Sequence, residues 1–128
     1  MSNDEYVFVY GRLRAGFWKG FLLGQQKPLG TAHTVQEYAL YVSKIPYVRM
    51  DQAVSPICGE VYPLTPRVLR DLDSLMAHPK WYQRHRVAVV LEDGTTMEAW
   101  MYARRGMGGV SVKSGDLLNR GTSPANSE

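Results

Sequence analysis

Two extended runs joined at a tight turn constrain this chain most. Trp81 to Leu91 (WYQRHRVAVVL) reads as a long strand. Asp93-Gly94 then makes a hairpin turn into a second strand, Met97 to Ala103. Neighbours joined in this way are antiparallel, which argues against an all-parallel sheet. Just upstream, Thr65 and Pro66 mark a helix start, a hydroxyl N-cap followed by proline where the missing N–H costs nothing. The helical spacing that follows puts Val68, Leu69, Leu72, Leu75 and Met76 on one face, with Arg70, Asp71 and Asp73 outside. Pro79 ends this helix.

Strands outnumber helices in the rest of the chain. Thr31 to Val42 predicts one long or two short strands, Pro46 to Val48 a brief extended piece, and Ile57 to Tyr62 a strand closed by Pro63. Val110 to Leu118 adds a strand and a short turn. The small, polar end NRGTSPANSE predicts a disordered tail over 120–128, after a single domain over 1–119. The order β, short α, several β, α, hairpin gives an α+β class, with a curled or barrel-like sheet and one main helix packed on it.

The opening stretch, Tyr6 to Gly24, carries the functional signal. Tyr6 to Tyr10 reads as a strand buried on both faces, stopped by Gly11. Arg12 to Gly16 follows as a glycine-flanked loop. Phe17, Trp18, Phe21 and Leu22 then have the spacing of one helical face, with Gly24 as its C-cap. Backbone N–H groups in such a loop can cradle a carboxylate, an oxyanion or a phosphate, although a plain tight turn has the same sequence.

Charge and cysteine content exclude several classes. The net charge is +3, and the basic excess is spread over both halves, which argues against a nucleic-acid surface. Cys58 is the only cysteine, so there is no internal disulfide and no thiolate metal cluster; a buried, inert thiol is expected there. The polar start MSNDEY is no secretory signal, and no apolar run is long enough to cross a bilayer. A cytoplasmic compartment is expected.

Three segments together resemble the γ-glutamylcyclotransferase-like, or AIG2-like, family. VFVYGRLRAG is similar to the YGTLR loop of that family. GEVYPLTPRVLRDLDSL followed by WYQRHRV is similar to its strand, helix and Tyr-x-Arg strand, and DGTTMEAWMY to its closing hairpin. Ser114-Gly115-Asp116 resembles a common tail signature. The short spacing from the helix end to Tyr82-Gln83-Arg84 is closest to the γ-glutamylamine cyclotransferase branch. The resemblance implies a small mixed β-barrel with flanking helices, and a cavity whose mouth is the loop Tyr10, Gly11, Arg12 and Leu13, with Tyr82 also lining it. It implies that a γ-glutamyl group is held by loop N–H groups while a glutamate takes a proton from the substrate α-amine. The amine then attacks its own γ-carbonyl and closes 5-oxoproline, with no cofactor, metal or nucleotide.

Met76 stands where the resemblance places that glutamate. An α-ammonium cannot attack until it loses a proton, a step for which a positioned base supplies about 10²- to 10⁴-fold. A thioether cannot take the proton. Met76 also continues the apolar stripe of the helix, four residues past Leu72. Arg12, where the family usually has threonine, adds positive charge at the mouth. Glu60 and His78 are the candidate substitute bases, each weighed against a solvated or structurally paired side chain. Tyr10 and Tyr82 read equally as core, and Arg84, His85 and Arg86 as a solvated edge. The expectation is a catalytically inactive binding or scaffold module for a γ-glutamyl or other small anionic ligand. It could also be a subunit of a larger assembly, with Phe17, Trp18 and Phe21 as candidate protein contacts. The alternative is an active γ-glutamyl(amine) cyclotransferase with a displaced base.

Overall fold

The computed structural model describes residues 5–10, 28–43, 46–106 and 108–116. Their elements are β1 (Glu5–Val9), β2 (Gly30–Thr34), β3 (Ala39–Val42), β4 (Pro46–Arg49), β5 (Cys58–Leu64), α1 (Pro66–Leu75), β6 (Gln83–Leu91), β7 (Thr96–Ala103) and β8 (Val110–Ser111). Strands β1, β5, β2, β6 and β7 close into a barrel in that order, while β4, β3 and β8 make a separate three-stranded sheet. Closure is a parallel contact between β1 and β7 at Val7 and Trp100; the other barrel pairings are antiparallel. The barrel is therefore mixed, as expected. The loop Gly11 to Gly16, the helix expected over Phe17 to Leu22 and the tail beyond Asp116 lie outside the described residues.

Period-two alternation divides the apolar side chains between two clusters. Phe8 and Tyr10 join Val61, Val87, Val89 and Met101 inside the barrel, and all five barrel strands contribute there. Val7 and Val9 point the other way, to meet Tyr62, Leu64, Leu69, Leu72, Met76, Tyr82 and Tyr102 beneath α1. The helix starts as the sequence predicts: Val68 N–H donates to Thr65 Oγ1 at 3.2 Å, with Pro66 opening the first turn.

Several local expectations are corrected. Pro63 does not close β5, which runs on to Leu64. Pairing of β5 with β2 stops at Val61, so beyond that point β5 has only β1 beside it and the missing proline N–H breaks no second ladder. Leu75 is not part of the buried face; it is 50% exposed. Thr31 to Val42 is two strands, β2 and β3, parted by a bend. The β6–β7 turn holds three residues, Glu92 to Gly94: Leu91 N–H donates to Thr95 O, and Gly94 N–H to Leu91 O, both at 2.8 Å. Gly94 has φ +91°, the left-handed position such a turn needs. Cys58 is half-buried rather than buried.

The tail signature has a physical basis. Gly115 has φ +74°, and a Cβ there would lie 1.9 Å from Pro56 O. Its carbonyl accepts the Cys58 N–H at 2.8 Å, and Asp116 N–H donates to Ser114 Oγ at 3.2 Å. Only glycine lets this turn lie against the entry to β5.

Candidate functional site

The C-terminal end of α1 places the side chain at position 76. Met76 is the C-cap, and its N–H donates to Leu72 O at 2.8 Å. Ala77 follows in the left-handed region, φ +53°. His78 N–H donates to Asp73 O (2.9 Å) and Ala77 N–H to Ser74 O (3.1 Å), the paired bonds of a Schellman cap. The reversal turns Met76 inward, where it is 8% exposed among Leu72, Tyr82 and Tyr102. A thioether fits such surroundings at no electrostatic cost, whereas a carboxylate would need partners.

Asp73 is not on the outer face that helical spacing suggests. It is half-buried, with Oδ1 accepting from Arg84 Nε at 2.7 Å and from the Tyr102 hydroxyl at 2.7 Å. Arg84 is accordingly no part of a solvated edge; its guanidinium also lies 4.2 Å from the Trp100 ring centroid, with that of Arg86 at 4.4 Å. Burial first, then the Asp73 carboxylate, raises the Tyr102 phenol well above its ordinary value. The Tyr102 carbonyl in turn accepts the Tyr10 hydroxyl, so hydrogen bonds run from α1 through β7 to the end of β1. Nothing in the sequence alone marks Asp73; only its contact with the strand that brings Arg84 reveals its role.

The remaining site residues are distributed as follows. Tyr10 and Tyr82 are core, 1% and 3% exposed. Tyr82 donates to Pro46 O at 2.9 Å, and burial, the largest cause in each, raises both phenols. Glu60 lies on the outer side of β5, where it accepts from the Tyr62 hydroxyl at 3.1 Å. His78 Nδ1 accepts the Arg84 N–H at 3.2 Å, which leaves the other ring nitrogen to carry the proton of the neutral form. Gly11, Arg12 and Leu13 lie outside the described residues. Among the described residues, no three His, Cys, Asp or Glu side chains group as metal ligands, and no helix is long and apolar enough to cross a membrane.

A groove of about 700 Å³ opens at the barrel end where β7 finishes and β6 begins. It is lined by Met50, Asp51, Lys80, Trp81, Gln83, His85, Ala103, Arg104 and Arg105. Gln83, His85 and Ala103 share the alternation that fills the barrel, so the groove caps the interior cluster. Neither Met76 nor Glu60 lines it.

A family model described as gamma-glutamyl cyclotransferase, AIG2-like, matches residues 7–119. The chain belongs to this family. A Methanocaldococcus jannaschii protein named as a putative gamma-glutamylcyclotransferase is 43% identical over 113 residues, which span 88% of this chain and 94% of the relative. The gammaglutamylaminecyclotransferase of Bos taurus is 36% identical over 95 residues, 67% of this chain and 56% of that protein. A mouse AIG2-like protein superposes with a TM-score of 0.71 over 84% of this chain and 81% of that one; at 22% identity it speaks for the fold alone. Relatives named for both reactions match, the γ-glutamyl one at higher identity. The cyclotransferase family is thereby established, and its amine branch is not singled out.

Proposed function

We propose that this cyclotransferase-family protein no longer closes 5-oxoproline and instead binds a small anionic molecule, a γ-glutamyl compound being the first to test. One observation carries the reading: the position at which the resemblance places the general base is a methionine, sealed in an apolar cluster. The polar groups nearby are committed. Asp73 holds Arg84 and Tyr102, Glu60 accepts from Tyr62, and His78 accepts a backbone N–H. Asp73 Oδ1 is already occupied by two donors.

A second reading, an active cyclotransferase with a displaced base, is favoured by two features. Asp73 is a half-buried carboxylate one helical turn before Met76, and the relatives that match are named for the reaction. The test is 5-oxoproline release from a panel of γ-glutamyl amino acids and γ-glutamylamines, comparing the native chain with Met76→Glu. Both must first show the same folded circular dichroism spectrum. The proposal expects no release from the native chain; release from Met76→Glu alone would show that only the base is missing. Native turnover near the variant's rate would refute it and direct attention to Asp73.

A further inference from the structure

We infer that the groove at the barrel end is a binding site for a small polyanion, a molecule with at least two carboxylate or phosphate charges. This goes beyond the γ-glutamyl reading and does not depend on it. Lys80, Arg104 and Arg105 line the groove against one carboxylate, Asp51. That carboxylate is already held by Arg49, Nη2 to Oδ2 at 2.6 Å and Nε to Oδ1 at 3.0 Å. The acidic group in the groove is thus held chiefly by Arg49, from outside it, with Arg105 acting on it only through space. Among the described residues no carboxylate forms an ion pair with Lys80, Arg104 or Arg105.

Arg104 is the fixed element. Its guanidinium carbon lies 4.8 Å from the Trp81 ring centroid, 5.5 Å from that of Tyr47 and 5.6 Å from that of Tyr82. Its backbone N–H donates to Val48 O at 3.0 Å. Aromatic contacts engage the guanidinium without neutralising its charge, and they remove much of the side-chain entropy that binding would otherwise cost. Lys80 and Arg105 are exposed and supply adaptable charge on the groove wall. Two positively charged neighbours with little opposing charge give weak hold on a monoanion and cooperative hold on a molecule that bridges them. The volume lies within the range of small-molecule sites. In sequence these cations fall in two separate stretches, and the β6–β7 pairing of Gln83 with Ala103 brings them together.

Isothermal titration calorimetry on the full chain tests the inference, with citrate and pyrophosphate as polyanions and acetate as the monoanion control. Saturable binding is expected for citrate, pyrophosphate or both, with acetate at least about tenfold weaker, and a fall in affinity from 50 to 200 mM salt of about fivefold or more. Binding of one polyanion alone assigns the chemistry as carboxylate or phosphate and still supports the site. Lys80→Gln/Arg105→Gln, at exposed positions, is expected to weaken binding about tenfold with unchanged thermal unfolding, and Arg104→Gln to abolish it. If Arg104→Gln fails to fold, the double variant decides. No saturable binding by either polyanion, or native affinity in the double variant, would overturn the site.

Discussion

Between Leu72 and His85 the chain helps to build two surfaces of opposite character. One is the sealed cluster beneath α1, where Met76 lies among aromatic rings and each nearby acidic or imidazole group has a protein partner. The other is the open groove, where Lys80, Trp81 and His85 face cations from the end of β7 and the charge is left for a ligand. A reversal of a few residues, from Met76 through the left-handed Ala77 to Trp81, separates them. The difference teaches that loss of a base need not erase a binding surface. Packing can close the catalytic position while charge remains exposed next door.

The largest expected effect sharpens this contrast by adding a negative charge to each surface. Met76→Glu should lower stability by about 3 kcal/mol at neutral pH, because a carboxylate enters an apolar cluster. Burial raises that carboxyl above its unfolded value, so the deficit should shrink as pH falls towards about 4 and grow as pH rises. Lys80→Glu, on the exposed wall, should stay within about 0.5 kcal/mol. Urea unfolding at several pH values measures both, and equal costs would erase the distinction.

Removing the polar anchor is the next test. Asp73→Ala strips Arg84 and the buried Tyr102 hydroxyl of their shared acceptor and should cost about 2 kcal/mol. An effect below about 0.5 kcal/mol in chemical denaturation would mean the network does not hold α1 to the barrel. Alkaline pH probes the same cluster from the other side. Tyr10, Tyr82 and Tyr102 all have folded values raised above 10.0, so the folded state keeps phenolic protons that the unfolded chain releases. Stability from this source is fully present below pH 10 and should be lost above it, by about 1 kcal/mol or more per pH unit. Thermal melts from pH 8 to 11 read the slope, and a flat profile would contradict the burial of these rings. The smallest effect concerns the reversal itself. Ala77→Gly relieves a left-handed alanine and should add up to about 1 kcal/mol.

Much of the fold was legible in local chemistry. Thr65-Pro66 announced α1 because a cap and a pre-set φ act within one turn, and Asp93-Gly94 announced the β6–β7 hairpin for a similar reason. The mixed barrel was foreseen through the family resemblance as well as the strand order. Local signals failed where distant pairing decides. Pro63 reads as a stop, yet β5 continues because its second neighbour has already ended. Asp73 and Arg84 read as solvent-facing, yet they meet because β6 returns beside the helix. Met76 was legible both as a departure from the family pattern and as the end of an apolar stripe. The groove was not, since the excess charge looks dispersed until β6 and β7 pair.

The most direct test of the central claim is 5-oxoproline production by the native chain alone, at saturating γ-glutamyl substrate and neutral pH, followed against protein concentration. The account predicts a rate indistinguishable from that of Met76→Ala and from buffer. A rate that rises in proportion to the native protein and disappears in Asp73→Asn or His78→Ala would contradict it.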